Sequence, residues 1–323
     1  MIINSLFSKN KSVLQNKSIV GFIELLIANT FWGLGFVATV WCLRDISPSA
    51  ILFYRFTMAF VLSLMTYLFL KRKQNIADIL FVLKTEVKLA FLPGVFLFLT
   101  LLLQTWGLKY TTATKSGFIT ILYVLIIPFI EIIHQKTFPS VRHWLLTLLA
   151  FVGTLFMIEI FQITKTGLNL NFGDFLTLLC AFTAAFHIYF IGIRSNMTSS
   201  GLLLNGFQSF WCALLALPFL FYENHFYITN AQSLTWIGLL ALGVGSSFLA
   251  FFLQVKAQAE IHASIAAVLF LMESPFAAMF GFIFLGETMS HWQIIGAILI
   301  FTSCVLITQL ESSTRFSDAK NSH

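Results

Sequence analysis

Charged side chains are scarce: Asp, Glu, Lys and Arg together make up 10% of the 323 residues, against about a quarter in soluble domains. With 58% hydrophobic residues and a mean hydropathy of +0.89, this excludes a chain built for water and points to lipid as its solvent. Cysteine is equally sparse. Cys42, Cys180, Cys212 and Cys304 all lie in apolar stretches without CxxC spacing, so neither a disulfide framework nor a zinc site is indicated, and they read as small core hydrophobes. No Walker-type phosphate loop occurs, which argues against ATP-driven work, and no HExxH pair or nucleophile elbow supports hydrolysis within the membrane. No cofactor and no metal site is expected.

Aromatic residues are plentiful: 38 Phe, with seven Trp and seven Tyr, the latter two amphipathic rings of the kind that settle at headgroup depth. A helix needs about 20 apolar residues to cross roughly 30 Å of hydrocarbon, because its backbone finds no other partners there. Ten stretches qualify, at residues 19–41, 49–70, 88–107, 113–133, 142–160, 174–193, 202–222, 233–253, 263–285 and 291–309. The longest loop of the first half is placed between Lys71 and Val87. The expected fold is all-α, a polytopic membrane protein of about ten transmembrane helices. The lysine-bearing segment before residue 19 lacks a small-residue cleavage site, so no cleaved leader is expected.

The net charge of +6 reads as a topology signal, with no nucleic-acid partner implied, since the basic residues sit in short loops. With the N-terminus inside, 14 Lys and Arg fall on the cytoplasmic side and four on the other, namely Arg44, Lys109, Lys115 and Lys165, while Arg55 lies within a helix. Both termini are then cytoplasmic. Asn196-Met197-Thr198 fits a glycosylation sequon, but it falls in a predicted cytoplasmic loop and is set aside.

The chain also repeats itself. Pro128 pairs with Pro275 and His143-Trp144 with His291-Trp292 at offsets of 147 to 148, and Arg44 pairs with Arg194 at 150. Each half holds five spans, an odd number, so the second must enter the membrane upside down. Two inverted five-helix repeats, 19–160 and 174–309, flanked by cytoplasmic tails 1–18 and 310–323, are expected to place a binding site at their interface.

Ionisable groups in a membrane cost several kcal/mol and usually face a cavity or a partner. Arg55 can hold a carboxylate bidentately, or clamp helix ends through backbone carbonyls. Glu273, two residues before a helix-kinking Pro275, can exchange a proton or tie its helix to a neighbour. His187 suits a proton relay or an interhelical hydrogen bond. Glu24 fits a cytoplasmic vestibule or snorkels to the interface. Asn29, Trp32, Gln104, Tyr123, Gln208 and Gln254 complete a candidate lining of aromatic and polar groups. Gly33, Gly35, Gly243, Gly245, Ala277 and Gly281 permit close helix approach, and Pro128 and Pro275 are candidate hinges.

The order Asn29-Thr30-Phe31-Trp32-Gly33, Ser47-Pro48, Tyr54-Arg55-Phe56, Gly107 to Thr112, Gly117 to Thr120 and Pro128, then Met272 to Ala278, Leu285-Gly286-Glu287 and Gly296-Ala297, resembles the ten-helix drug/metabolite transporters with paired EamA domains. The first repeat offers His134-Gln135-Lys136 where the second has Gly286-Glu287. The resemblance spans roughly residues 20 to 310. It implies a bacterial inner-membrane carrier, often an exporter of amino acids or related metabolites, working without ATP. The expected function is secondary transport of a small solute by alternating access, with the bilayer as partner, protons as candidate coupling ion, and a monomer or homodimer as assembly. An intramembrane enzyme and a structural membrane protein are the alternatives. The substrate-binding candidates are Trp32, Arg55, Tyr123, His187, Gln208, Gln254 and Glu273.

Overall fold

The computed structural model describes residues 2–107, 110–111, 116, 119–136, 138–160, 171–223 and 231–321, with side chains from residue 19 to 310 apart from Gln135. The expected roles of Lys109, Lys115 and Lys165, of the motif residues Thr112, Gly117 and Phe118, and of the side chains of both tails lie outside that set.

Every described element is helical. The order is α1 (Ile2–Cys42), α2 (Pro48–Leu70), α3 (Ile76–Leu89), α4 (Phe91–Gly107), α5 (Tyr123–Gln135), α6 (Val141–Met157), α7 (Phe172–Ser195), α8 (Gly201–Tyr222), α9 (Ser233–Gln258), α10 (Ala263–Phe270), α11 (Glu273–Leu285) and α12 (His291–Asn321). Among the described residues, seven helical stretches are long and apolar enough to cross a membrane. A bent pair, α3 with α4, and the shorter apolar α5 and α6 account for the remaining predicted spans. Outward faces carry exposed Met65, Phe69, Phe129, Ile133, Phe282 and Phe301, as expected where lipid is the solvent.

Caps set the ends. Ser47 accepts from Ala50 N at 3.3 Å with Pro48 in the first turn, and Ser140 accepts from His143 N at 3.2 Å. Asn171 and Asp174 form a reciprocal capping box, and Ser290 with Gln293 does the same.

These boundaries fix the repeat register. Cys42 and Pro48 match Ser195 and Gly201 as helix ends, 153 residues apart, while Tyr123, Lys136 and Val141 match Glu273, Gly286 and His291, 150 apart. The offsets of 147 and 148 read from Pro128, Pro275 and the His-Trp pairs are therefore corrected by two to three residues, and Arg44 and Arg194 are not equivalents. Shared residue types had slipped past the caps that decide equivalence.

Packing shows the inversion directly. Ser303 Oγ donates to Leu146 O at 2.6 Å, and a Cβ on Gly153 would lie 2.9 Å from Gly296 O. Numbers rise on α6 as they fall on α12, so the helices are antiparallel. With the 150-residue offset the contact 146–303 maps onto 296–153, which is the signature of a two-fold axis between them.

Two acidic latches follow the same symmetry. Asp45, in the α1–α2 loop, accepts from Gln232 N at 2.8 Å and Thr235 Oγ at 2.5 Å at the start of α9. In the other half the acid sits on the helix: Glu86 of α3 accepts from Ser199 N and Oγ at 2.6 and 2.7 Å and from Thr198 Oγ at 2.7 Å in the α7–α8 loop.

Two expectations are corrected. The stretch from Lys71 to Val87 is not a loop. Asn75 caps a helix over Ile76–Leu89 that meets α4 at 46°, and its Ile79, Val82, Leu83 and Val87 pack on the core. Its charges broke the apolar run, while its helical period was intact. The ninth span is interrupted at Leu271–Met272, ahead of Pro275, which lies in the first turn of α11. Because Pro275 has no N–H, Leu271 O takes Ser274 N instead, at 3.2 Å. Its two-fold equivalent is the interruption at Ile121–Leu122, well before Pro128, so the prolines are not matched hinges.

Lys136 holds φ 55 as a helix cap where its equivalent Gly286 holds φ 70, and a side chain in that left-handed conformation costs about 1 kcal/mol. Lys136→Gly is expected to raise the melting temperature of the purified protein, and Gly286→Lys to lower it. For Asp45, the Thr235 hydroxyl and Gln232 amide hold the carboxyl below its ordinary value. Its contribution is thus present above the unfolded-state value and lost as pH falls through the lower folded-state one. A pH series of melting temperatures should show Asp45→Asn flattening that acid-side decline.

Candidate functional site

Small residues bring the polar groups of the interior together. Within α9, residues Ala241–Ala250 form a π-helical stretch, a wider coil that recurs at functional sites. Gly243 there packs on Met58, Gly245 on the Phe31 ring, and Gly35 of α1 faces Ser246 Oγ. The approach presents Ser246 and Ser247 to α2, where Arg55 Nε donates to Ser247 Oγ at 2.7 Å and a terminal guanidinium nitrogen to Ser246 Oγ at 3.3 Å. The guanidinium also stands 5.0 Å over the Phe56 ring.

Two carbonyls of that stretch also take a side-chain donor. Asn205 Nδ2 of α8 donates to Phe248 O at 3.0 Å and to Ser247 O at 3.3 Å, and its Oδ1 accepts from Gln208 Nε2 at 3.0 Å. Gln208 Oε1 in turn accepts from His187 Nε2 at 3.0 Å. With His187 Nε2 as the donor, the chain has one consistent direction. Asn205, Gln208 and Ser247 are fully buried.

Repeat equivalence organises this cluster. Arg55 and Gln208 are 153 residues apart and so are two-fold partners. So are Trp211 and Met58, and Gly94 packs on Trp211 just as Gly243 packs on Met58, which makes the two glycines equivalents. Tyr123 and Glu273, the first residues after the two interruptions, are equivalents as well. Glu273 lies within electrostatic reach of both Tyr123 and Arg55.

Of the sequence candidates, Arg55, Tyr123 and Glu273 converge, and His187 joins Gln208. Trp32 stands edge-on between Phe251 and Phe270 at 5.2 and 5.3 Å, and its buried indole N–H meets no partner among the described residues. Phe251 also touches His187 and Phe56, which brings Trp32 beside the network. Gln254 does not join it: its Nε2 donates to Gln258 Oε1 at 2.9 Å, and Gln258 donates to Ile188 O at 2.9 Å. Asn29 donates to Leu25 O and Leu269 O at 2.8 and 2.9 Å, covering the ninth-span interruption. Glu24 is paired with Lys256 Nζ at 2.5 Å.

Two cavities open at the end of the bundle where α7 and α9 finish. The larger, about 640 Å³, is lined by Glu24, Lys256, Thr198, Ser199 and Glu260 among others. The smaller, about 240 Å³, includes Glu131, Tyr189, Gln258 and His262. None of the seven candidates lines either one. Asn205, Ser246, Ser247 and Glu131 were missed in the sequence. The serines sat in a small-residue run read as packing and Asn205 carried no charge, whereas Glu131 had the signal of an acid inside a predicted span.

The comparisons with known proteins agree with this architecture. The EamA-like transporter family model matches twice, at residues 19–159 and 171–309. An uncharacterized transporter of Archaeoglobus fulgidus is 30% identical over 293 residues, covering 90% of this chain and 87% of its own. A solved crystal structure at 15% identity superposes with a TM-score of 0.73 over 93% of this chain and 98% of the other, a likeness of fold.

Replacing Asn205 by Leu strips two carbonyls of a donor and Gln208 of an acceptor, at a cost of about 1–3 kcal/mol. The melting temperature in detergent should fall. In a double-mutant cycle with His187→Phe the losses should be non-additive by about 0.5 kcal/mol or more.

Proposed function

This chain belongs to the EamA-like transporter family, and from that premise we propose that it is a secondary carrier, an exporter of a small metabolite such as an amino acid, working by alternating access. The observation that carries the reading is that Glu273, equivalent to Tyr123 as the first residue after an interrupted span, lies within electrostatic reach of both Tyr123 and Arg55. Interrupted helices at the interface of inverted repeats are where secondary transporters hold their solutes.

In this reading a solute carboxylate replaces the Ser246 and Ser247 hydroxyls on the Arg55 guanidinium, a bidentate bond between opposite charges in place of two bonds to neutral hydroxyls. Trp32 and Phe251 supply the apolar wall, and His187, through Gln208 and Asn205, fixes the π-helical carbonyls. Gln254, outside that network, braces α9 against α7 through Gln258. Glu273 is the proton-exchanging acid, and the substrate pocket comprises Trp32, Arg55, Tyr123, His187, Gln208, Gln254 and Glu273. No catalytic step is assigned. The repeats 19–160 and 174–309 act as the two moving units, with cytoplasmic tails 1–18 and 310–323 in a bacterial inner membrane. The loop basic residues, 14 to four, support that orientation.

An untargeted metabolite comparison between cells overproducing and lacking the protein tests the export reading, which requires one solute to accumulate outside the overproducer. In proteoliposomes loaded with that solute, Glu273→Gln is expected to abolish the pH dependence of flux. Unchanged pH dependence would remove Glu273 from the coupling.

A further inference from the structure

The smaller cavity lies apart from the Arg55 cluster and has a chemistry of its own. It sits between the end of α5, the last turns of α7 and the segment joining α9 to α10, and it holds about 240 Å³. Glu131 is 6% exposed, and its carboxylate accepts from Ser264 N at 3.4 Å and also from the Ser264 hydroxyl and the Ala263 N–H at the start of α10. Tyr189, 5% exposed, lines the same cavity within electrostatic reach of Glu131. Its buried hydroxyl has no hydrogen-bond partner among the described residues. Glu260 stands on the rim shared with the larger cavity.

Charge decides what this space can take. The start of α10 contributes roughly half a positive charge, which the full charge of the Glu131 carboxylate outweighs. The nearby cation Lys256 is engaged by Glu24 at 2.5 Å. His262 faces Glu131 electrostatically, and the His134 ring packs edge-on against Tyr189 at 5.7 Å. Among the described residues no group of three or more His, Cys, Asp or Glu is placed to hold a metal ion, and the cavity far exceeds a bare cation. Ile193, Ile261 and Ala263 add apolar wall suited to a short carbon chain.

We propose that this cavity binds the protonated amino group of a small aliphatic amine, with Glu131 as its counter-charge and the Tyr189 hydroxyl as a further acceptor. The inference rests on the carrier reading in one respect: it names amine-bearing solutes as the class received at this end of the bundle.

The test uses purified full-length protein and n-propylammonium chloride, with 1-propanol, sodium propionate and sodium chloride as controls. Ligand binding to the native state raises the melting temperature. A concentration-dependent rise with n-propylammonium alone is expected, with affinity weakened about tenfold or more in Glu131→Gln as a charge-assisted bond is lost. Absence of an amine-selective rise, an equal rise with sodium chloride, or an undiminished rise in Glu131→Gln overturns the proposal. If Glu131→Gln is not recovered folded, Glu131→Asp and Tyr189→Phe probe the same site, and both must weaken binding several-fold. Because the readout contains no flux, protein that transports but shows no amine effect loses only this site. Protein that binds the amine but carries nothing loses only the carrier reading.

Discussion

A backbone amide or carbonyl left unpaired in hydrocarbon costs several kcal/mol, and the interior of this bundle is arranged around three places where a helical ladder opens. At Leu271–Met272 the Leu269 carbonyl, which accepts from Met272 N at 3.1 Å, also receives the Asn29 amide of α1. Along Ala241–Ala250 the Ser247 and Phe248 carbonyls receive Asn205 of α8. At Ile121–Leu122 the chain tightens, with Val124 N on Ile121 O at 3.0 Å and Leu125 N on Leu122 O at 3.0 Å. Each repair in the second repeat is supplied by a different helix, so the interruptions dictate which helices must touch. Arg55, Gln208 and His187 are held by the consequences of those repairs.

The two-fold relation is one of backbone far more than of chemistry. Lys136 and Gly286 hold the same left-handed cap, and Ser140 and Ser290 both cap the helix that follows. The acid that latches loop to helix sits in the loop on one side, as Asp45, and on the helix on the other, as Glu86. At the centre Arg55 answers Gln208, and Glu273 answers Tyr123. The fold therefore builds a symmetric frame and fills it with unlike groups, and the charged member of each pair lies within reach of the other.

Hydropathy located the spans to within a few residues, because crossing hydrocarbon constrains length and composition together. Ile19–Cys42, Gly201–Tyr222 and Ala263–Leu285 are near-matches to what the apolar runs demand. Helix Ile76–Leu89 escaped because Asp78, Lys84, Glu86 and Lys88 interrupt its apolar run without disturbing its period. The π-helical turn escaped because Gly243, Gly245 and the two serines advertise close packing, and only the position of α2 turns Ser247 into the partner of an arginine. Glu273 and Arg55 were conspicuous as charges in lipid. That they converge with Tyr123 depended on a repeat register that similarity of residue type had misplaced by two to three positions.

The pairing of Arg55 with Gln208 has a further implication. Where one half presents a guanidinium to the Ser246 and Ser247 hydroxyls, the other presents a neutral amide to His187 and Asn205. A bond to a charged group contributes about 1.5–3 kcal/mol, against about 1 kcal/mol for a neutral pair, so the firmer seam of the interior runs between α2 and α9, on one side of the frame only.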